Sequence, residues 1–486
     1  MVARMARSFA ALSLAALSLA LLALGFALAP PDAGANADVA WLVTVCERLL
    51  DGQRLYVDVY ETNPPAAIWL YLPAVALARA LGLAPEPVVG AQMLLLAAAM
   101  LALCGRMLRL PRHLQAPAFC AAMAMAALLP HIAFGEREHA LALLLLPVLC
   151  LLGTRAGRGA PGVGEAITCG LLAGLAIAIK PQFALALGAA MAAAALMARS
   201  LRPLLAPETW ACALVLALYA LAIVWLTPQF LSGVLPDVAQ TYLLARNPLP
   251  FLMTTPGMLL WALALFGLLG LARAAAPPPQ AIVLAAASAG AMLAYLAQGK
   301  GWPYHALPML LLAFLALGAA GLAQRRILAQ LGTAAALAAL CGFAWSWIGA
   351  GLNLGALRDA VAAAAPHPKI AAVTGDIGVG FPLARQIGGA WSARFHSLLL
   401  TESVFQVKER GDPDPAAIAR LDAVAARETQ ALADDIAQNR PDIVLVQIAV
   451  LDWSAWIART PALTAALAGY EDKGTFNGVR VLRRGH

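Results

Sequence analysis

Ionisable residues are scarce in this chain of 486 residues, of which 62% are hydrophobic and 12% charged, and three short clusters of them stand out. The first combines Asp38 with residues 61–65 (ETNPP), the second is residues 135–139 (GEREH), and the third is residues 298–305 (QGKGWPYH). Carboxylates and cations that meet at one face of a membrane are suited to proton transfer and to holding a phosphate. The three clusters therefore predict an active site rather than solvated loop tips.

The acidic residues of the first cluster have both a chemical and a structural interpretation. Asp38 could be a general base that takes a proton from an acceptor hydroxyl at the membrane surface, or it could cap the helical stretch predicted over residues 38–50. Glu61 precedes Pro64 and Pro65, which fix an extended turn and orient the side chains before them. It could therefore face a site or belong to a turn without chemistry.

The second cluster joins two apolar spans without a spacer, where ionisable groups are costly unless they are paired or functional. It contains Glu136, Arg137, Glu138 and His139. These groups could bind a sugar, a divalent metal such as Mg²⁺ or Mn²⁺, or a phosphate. Alternatively, a mutual Glu–Arg pair could anchor the helix ends.

The remaining cations lie at the end of a span or beside aromatic residues. Lys180 ends an apolar run, where it could hold a lipid phosphate or extend its ammonium group to the membrane surface. Lys300 and His305 flank Trp302 and Tyr304, an aromatic pair typical of the membrane interface. Positive charge placed there would also stabilise a departing phosphate.

Long apolar runs place these clusters in a polytopic α-helical membrane protein. The mean hydropathy is +0.78, and runs of about 18 or more apolar residues recur along the chain. About eleven spans are predicted: residues 8–29, 88–108, 114–132, 140–154, 166–179, 183–198, 209–226, 258–272, 281–297, 306–323 and 327–349. The first is interpreted as a span with a cytoplasmic N-terminus, not as a cleaved signal peptide, because its apolar stretch is long. The formal charge of +7 does not indicate nucleic-acid binding, since most of the Arg residues lie in short loops between spans.

The side of the membrane on which the clusters lie depends on residues 66–83, which hydropathy alone would count as a further span. If this segment does not cross, ten Arg residues of later loops are cytoplasmic, and four cations lie on the other side. The positive-inside rule favours this arrangement. Pro73 and Arg79 within the segment also favour an interfacial helix. All three clusters then face the periplasm of a bacterial inner membrane.

With this topology, residues 1–349 form a transmembrane module and residues 350–486 a small periplasmic α/β domain. The module has two long outer loops, at residues 30–87 and 227–257. In the C-terminal domain, apolar and amphipathic patterns predict three strands and one long helix. They lie at residues 369–375, 442–447 and 478–482 for the strands, and 415–439 for the helix.

The order of these motifs resembles the GT-C superfamily of membrane glycosyltransferases, most closely the family 39 group of protein O-mannosyltransferases and lipid A aminoarabinose transferases. The shared order is an acid after the first span (Asp38), an acidic proline turn (Glu61) before an amphipathic helix, and an Arg-rich inner loop. An acid at the outer end of the third span (Glu138) and a Gly-rich span that ends in Lys180 follow. The likeness covers most of the first half and is looser beyond it.

The resemblance implies roles for individual residues. Asp38 corresponds to the presumed catalytic base, although the family's following Glu is Val39 here. Glu138, with Glu136 as alternate, corresponds to the acid that positions the donor or a metal. The family's Glu-Lys-Pro is Thr-Asn-Pro in this chain, so Lys180, Lys300 or Arg137 would replace the loop cation; Lys180 matches the Lys that ends the fifth span. Glu61, His139, Tyr304 and His305 complete the predicted donor-binding set.

Because nucleotide sugars are not supplied outside the cytoplasm, a transferase there would use a polyprenyl-phosphate sugar from the membrane lipids, whose lipid tail lies between spans. Asp38 would deprotonate a hydroxyl of a glycolipid, a cell-envelope glycan or a protein, and attack opposite the phosphate would invert the anomeric centre. Two other functions stay open. A polysaccharide ligase or polymerase would rely on Arg and His of a large outer loop, and a lipid or sugar transporter would need polar groups through the membrane depth.

Overall fold

The computed structural model describes residues 33–108, 112–350, 354–411 and 414–485. This part of the chain is mostly helical and divides into two compact units. The first unit contains Pro87–Ala222 and Asn247–Ala350, and the second contains Gly34–Glu86, Ile223–Arg246 and the C-terminal region. The second unit thus gathers the first predicted outer loop, most of the second, and the α/β domain.

Up to residue 350, the described chain is helical with short connections. In order, the helices are α1 Ala37–Leu50, α2 Pro65–Trp69, α3 Leu72–Leu81, α4 Pro85–Leu108, α5 Arg112–Leu128, α6 Arg137–Ala156, α7 Val163–Ile179, α8 Ala184–Ala198, α9 Pro207–Leu226, α10 Leu235–Gln240, α11 Leu249–Met253, α12 Pro256–Ala274, α13 Pro279–Gln298, α14 Pro303–Leu322 and α15 Ile327–Ile348.

Eight helices in the described residues are long and apolar enough to cross a membrane: α4, α6, α8 with its preceding 3₁₀ turn, α9, α12, α13, α14 and α15. The apolar helices α5 and α7 are shorter, at 17 residues each. Ten of the predicted spans therefore correspond to helices, and the polytopic helical architecture is confirmed. The predicted span at residues 8–29 lies outside the described residues.

Helices α6 and α14 lie at the centre of the first unit. In the 18-residue apolar stretch of each helix, 83% of the residues of α6 and 78% of those of α14 are buried, against 11% for α9 and for α15. A helix that is apolar on all sides and buried by its neighbours is a core helix, whereas the exposed faces of α9 and α15 suit lipid. The N-termini of the two central helices carry the second and third clusters.

The ambiguous segment at residues 66–83 forms two short helices within the second unit. Helix α2 ends at Trp69, and α3 has ten residues. At 1.5 Å per residue, α3 is about 15 Å long, roughly half the thickness of a bilayer core. Arg79 near the end of α3 forms an ion pair with Asp51, at 2.9 Å. The segment thus consists of two short helices joined at Leu70 and Tyr71, and its interfacial placement stays a prediction.

The C-terminal region of the second unit is built on one five-stranded sheet. Its elements are α16 Gly355–Ala364, β1 Lys369–Val373, α17 Ile377–Gly380, α18 Leu383–Gln386, β2 Ala390–Trp391, α19 Leu399–Glu409, α20 Pro415–Asn439, β3 Ile443–Gln447, α21 Trp453–Arg459, α22 Pro461–Ala466, β4 Tyr470–Phe476 and β5 Val479–Arg484. The strand order is β2-β1-β3-β5-β4. Strands β1, β2 and β3 are parallel, and β5 pairs antiparallel with β3 and β4.

Burial explains why strands β1 and β3 could be predicted from the sequence. Strand β3 is buried throughout and β1 almost throughout, and their continuous apolar runs are typical of parallel strands covered on both faces. The predicted helix at residues 415–439 is confirmed; Asp414 caps it and Pro415 occupies its first turn. The sequence prediction missed β2, which has two residues, and β4, an exposed edge strand.

Two ion pairs and a hydrogen bond join residues 34–86 to the C-terminal region within the second unit. The Arg385 guanidinium contacts Glu47 of α1 at 2.6 Å and Glu86 at 2.5 Å. The backbone amide of Tyr60 donates to the carbonyl of Arg394, at 2.9 Å. The loop that carries Asp38 and Glu61 is therefore packed onto the α/β region.

Candidate functional site

Three helix ends bring the second and third clusters together in the first unit. Helices α6 and α7 pack against each other across a short connection at residues 157–162, so the start of α6 and the end of α7 share one end of the unit. Glu136 is the N-cap of α6, and Lys180 ends α7 before Pro181. Pro303 stands in the first turn of α14, where its missing N–H costs nothing.

The centre of this arrangement is the carboxylate of Glu138, which is fully buried. The ammonium group of Lys180 donates to Glu138 Oε1. His305 Nε2 lies 3.4 Å from the same oxygen. Among the described residues, Glu138 Oε2 and His305 Nδ1 have no hydrogen-bond partner. We call Glu138, Lys180 and His305 the buried triad; two of its polar atoms remain able to bind a ligand.

Aromatic rings lie against the buried triad. The Lys180 ammonium is 5.8 Å from the ring centroid of Tyr304, within the range of a cation–π contact. The Tyr304 and His305 rings are 4.5 Å apart between centroids, and Trp302 is 5.7 Å from Tyr304. The aromatic pair predicted for a membrane interface is therefore also a wall of the triad.

The charges around the triad are predominantly positive. Arg137, Lys180 and Lys300 all lie close enough to His305 to interact electrostatically with its ring. Arg137 Nε is also 3.6 Å from Glu136 Oε2, so a Glu–Arg pair exists alongside the triad. These residues together contribute three cations and two carboxylates. This balance is suited to an anionic ligand such as a phosphate.

His139 has a different local environment. The amide of Gly135, whose φ of +87° favours glycine, donates to His139 Nδ1 at 3.3 Å. The His139 ring packs on Phe134, with 5.2 Å between centroids. These contacts hold the turn that starts α6. His139 thus helps to hold the turn before Glu138, and its role in donor binding stays a prediction.

Asp38 and Glu61 lie in the second unit. The N-cap of α1 is Asn36, whose Oδ1 accepts a hydrogen bond from the amide of Val39 at 3.0 Å. The interpretation of Asp38 as the helix cap is therefore wrong. Asp38 occupies the first turn, where a carboxylate is favoured by the helix dipole, and it is half-buried.

Glu61 is buried, and its carboxylate accepts hydrogen bonds from α1 and from its own turn. Oε2 accepts a hydrogen bond from Trp41 Nε1 at 2.5 Å, and Oε1 accepts from the amide and side chain of Asn63, at 2.8 and 2.6 Å. The acidic proline turn is thus fastened to α1 three residues after Asp38. Through this contact Glu61 orients the helix that carries the predicted base.

Two residues near Asp38 were not predicted from the sequence. Asp376 follows β1 and accepts a hydrogen bond from the Gly378 amide at 2.7 Å. Burial raises the pKa of Asp376, the charge of Asp38 raises it further, and His396 opposes the rise. The His396 ring lies 5.6 Å from that of Trp41 between centroids. A polar residue directly after a buried parallel strand is a signal that could have identified Asp376.

Hydrogen bonding determines which nitrogen of His396 carries a proton. Ser397 Oγ donates its only proton to the carbonyl of Gly375, at 3.0 Å. It must therefore accept at its 2.8 Å contact with His396 Nδ1. Nδ1 is therefore the donor in this contact, which fixes the orientation of the His396 ring.

A divalent metal does not fit at Glu138. The Lys180 ammonium bonds to Oε1, and a metal ion at that carboxylate would face this positive charge directly. Among the described residues, no group of three or more His, Cys, Asp or Glu side chains is arranged to hold a metal ion. Glu138 is therefore suited to a hydrogen-bonded ligand rather than to a divalent metal ion.

Two solved structures of ArnT from Cupriavidus metallidurans are similar to this chain. The structure bound to undecaprenyl phosphate has 16% sequence identity and a TM-score of 0.53, with 97% of each chain covered. The apo structure has 15% identity and a TM-score of 0.52, covering 97% of this chain and 98% of that chain. No family model and no curated protein matches the sequence. The chain therefore has a fold similar to that of ArnT over almost its whole length.

Proposed function

We propose that the chain is an inverting glycosyltransferase of the bacterial inner membrane. It would move a sugar from a polyprenyl-phosphate donor to a hydroxyl of a glycolipid, a cell-envelope glycan or a protein. The catalytic side would face the periplasm, with the N-terminus in the cytoplasm. The observation that carries this proposal is the buried triad, a cation held beside a carboxylate and an imidazole at the end of a helical membrane unit.

The triad suits the donor's phosphate and sugar. Lys180, with Arg137 and Lys300, would stabilise the phosphate through charge-assisted hydrogen bonds. Glu138 Oε2 and His305 Nδ1 are buried polar atoms that sugar hydroxyls would satisfy. The likeness to an ArnT structure bound to undecaprenyl phosphate supports a polyprenyl phosphate as the lipid carrier.

The reaction needs one base and a stabilised leaving group. Asp38 would accept the proton of the acceptor hydroxyl as its oxygen attacks the anomeric carbon. The new C–O bond forms as the bond to the phosphate oxygen breaks, and the electron pair leaves with the polyprenyl phosphate. Pre-placed cations lower the energy of that developing charge. Attack opposite the phosphate inverts the anomeric configuration.

The acidic proline turn at residues 61–65 would help to position the acceptor substrate. Glu61 fixes Trp41 and the turn, Asp376 places a further carboxylate near Asp38, and the His396 ring packs against Trp41 within the second unit. Carboxylate and imidazole groups are suited to binding hydroxyl groups of an acceptor. The C-terminal region would therefore help select the acceptor.

The two alternative functions make different demands. A transporter needs polar groups through the membrane depth, whereas the ionisable residues of the triad lie at helix ends. A polysaccharide ligase or polymerase would share the lipid-linked donor, and it would extend the product by more than one unit. Product size therefore separates it from a single-transfer enzyme.

The test is transfer of radiolabelled sugar from purified polyprenyl-phosphate donors to a membrane extract. Wild type should transfer one unit. Asp38→Asn should lose at least about 100-fold in rate, since a general base contributes roughly 10²–10⁴-fold. Glu138→Gln should also transfer more slowly, because Glu138 would bind sugar hydroxyls. Asp51→Asn, in the C-cap position of the same helix, is the matched control and should retain activity. Full transfer by Asp38→Asn would exclude Asp38 as the base, and absence of transfer from every donor would exclude the proposed function.

A further inference from the structure

An apolar crevice lies between four helices of the first unit. Its walls come from α6, α7, α8 and α9, and its volume is about 180 Å³. The residues of α9 that line it are spaced three and four apart, which puts them on one face of the helix: Thr209, Cys212, Ala213 and Leu216. We call this space the α9 crevice. The proposed glycosyl transfer assigns no role to it.

The α9 crevice begins beside an ion pair at the end of the unit opposite the buried triad. Arg155 donates to both carboxylate oxygens of Glu208, at 2.7 and 2.9 Å, so this pair carries no net charge. Arg155 stands in the last turn of α6, whereas Glu138 stands in its first turn. The other walls are apolar, with Leu152 and Met191 among them. The crevice thus runs from a polar mouth at the helix ends toward the middle of the helices.

Thr209 places an unsatisfied hydroxyl at the polar mouth. Its Oγ1 is buried and has no hydrogen-bond partner among the described residues. Thr154 of α6 and Thr168 of α7 instead donate to the carbonyl four residues before them, at 3.0 and 2.9 Å. A ligand with an acceptor oxygen would recover the free energy that a buried, unpaired hydroxyl costs. The neighbouring Trp210 is 65% exposed, as is typical of an aromatic residue at a membrane interface.

The chain segments next to the polar mouth carry an excess of positive charge. Residues 155–165 and 199–209 contain four Arg and two Glu residues, which leaves a net charge of +2. Glu208 is held by Arg155, and Glu165 caps the start of α7. The other three arginines are exposed and form no ion pair within the described part of the chain: Arg158, Arg199 and Arg202. Basic residues at the end of an apolar space between helices are suited to an anionic lipid headgroup.

A diacyl phospholipid combines the groups that this arrangement accepts. Its acyl chains are apolar, its ester carbonyls are acceptors just below the headgroup, and its phosphate is anionic. An apolar cavity of roughly 150 Å³ holds a benzene-sized molecule, so the α9 crevice has room for several carbons of one chain. A polyprenyl phosphate would supply a chain and a phosphate, but it has no ester carbonyl for Thr209. The unsatisfied hydroxyl therefore favours the diacyl lipid.

We infer that the α9 crevice binds one acyl chain of an anionic diacyl phospholipid from the surrounding membrane. An ester carbonyl of this lipid accepts from the Thr209 hydroxyl. The headgroup lies beside Arg158, Arg199 and Arg202. The inference goes beyond the proposed function and does not depend on it, because the crevice and the buried triad are at opposite ends of α6.

The test measures lipid binding to the full-length protein in detergent by native mass spectrometry. The probes are phosphatidylglycerol, phosphatidylethanolamine with the same acyl chains, and undecaprenyl phosphate. Phosphatidylglycerol should bind saturably and at least about 10-fold more tightly than phosphatidylethanolamine, which has no net charge. The double variant Arg199→Gln with Arg202→Gln should weaken phosphatidylglycerol by at least about 10-fold, since each Arg near an anionic headgroup contributes about 5-fold. The matched control, Arg325→Gln with Arg326→Gln, removes two exposed cations between α14 and α15 and should leave binding unchanged.

Two further variants test the crevice itself. Ala213→Phe fills the space from the exposed side of α9 and should weaken phosphatidylglycerol by at least about 10-fold. Leu218→Phe, at an exposed position of the same helix that does not line the crevice, should have no effect. Thr209→Val keeps the shape of the side chain and should weaken phosphatidylglycerol by about 2–10-fold, the contribution of one hydrogen bond.

The thermal unfolding midpoint checks the fold of each variant, and Thr209→Val keeps the test decisive if Ala213→Phe unfolds the unit. Absence of saturable phosphatidylglycerol binding would overturn the inference. So would an equal loss of binding in the two double Arg variants, which would indicate general attraction to a basic surface. Displacement of phosphatidylglycerol by undecaprenyl phosphate at equal affinity would also overturn it, because the site would then not distinguish a diacyl lipid.

Discussion

Replacing Lys180 with Met separates the structural and chemical roles of the buried triad. The Lys180 side chain is 8% exposed and that of Glu138 is 0% exposed, so solvent screens their interaction very little. Met keeps most of the side-chain volume and removes the charge. The Glu138 carboxylate would then be left with His305 alone, 3.4 Å from Oε1.

Two effects of different size follow from this geometry. Removing one partner of a buried ion pair costs roughly 3–5 kcal/mol, and His305 can compensate in part, so we expect about 3 kcal/mol of lost stability. Loss of a charge-assisted hydrogen bond to a phosphate costs roughly 1.5–3 kcal/mol, which is about 10–100-fold in affinity. The double variant Lys180→Met with Glu138→Gln removes both charges and should recover most of the stability. It should not recover phosphate binding.

The assay measures undecaprenyl phosphate binding and thermal unfolding for the purified protein in detergent. Lys180→Met should bind the lipid about 10–100-fold more weakly, whereas Glu138→Gln should bind it at least as tightly as wild type, because Lys180 is released from its ion pair. Lys408→Met, an exposed Lys paired with Asp422, is the control and should change neither property. Undecaprenyl phosphate binding by Lys180→Met at wild-type affinity would refute the assignment of this cation to the donor phosphate.

Three further predictions concern the stability of the two units and are each read from thermal unfolding. Arg155→Met should cost about 2–3 kcal/mol, because it leaves Glu208, which accepts at 2.7 and 2.9 Å from Arg155, buried without its cation; an unchanged midpoint would contradict this. Gly290→Ala should destabilise the protein by about 2 kcal/mol, since the new methyl group would clash with the backbone of α8. Gly332→Ala, whose methyl group would meet no atom within 4 Å, should be neutral or stabilising. Equal effects of the two substitutions would show that close packing at Gly290 is not responsible. Burial raises the pKa of Glu428 from 4.5 to about 7, despite three hydrogen bonds that favour the carboxylate. Its contribution to stability is therefore full below pH 4.5 and is lost as the pH rises through about 7, by up to roughly 3 kcal/mol; Glu428→Gln should remove this dependence, and an identical pH profile would contradict the assignment.

Local sequence patterns were sufficient to predict a helix or strand whose structure is determined by its own residues. The long helix α20 has an Asp cap, Pro in its first turn and alternating Ala, Leu and charged residues, and its predicted bounds of 415–439 are those observed. Strands β1 and β3 were identified by their continuous apolar runs. The edge strand β4 was missed because its residues are polar and exposed, and Gly474 interrupts the strand pattern.

The candidate site was predictable only in part, because contacts between distant segments carry no local pattern. The sequence predicted that Glu138, Lys180 and His305 lie at helix ends on one side of the membrane, but their direct contact depends on how α6, α7 and α14 pack. The hydrogen bond between Glu61 and Trp41, and the proximity of Asp376 to Asp38, depend on how the loop packs on the α/β region. Neither could be read from spacing along the chain.

The most direct test of the account is the anomeric configuration of the product. Wild type would be supplied with a polyprenyl-phosphate sugar of known configuration, and the coupling constant of the anomeric proton in the purified product would be measured by NMR. A single inverted configuration is predicted, because Asp38 activates the acceptor for one displacement at the anomeric carbon. Retention of configuration would contradict that role for Asp38 and the single-displacement mechanism with it.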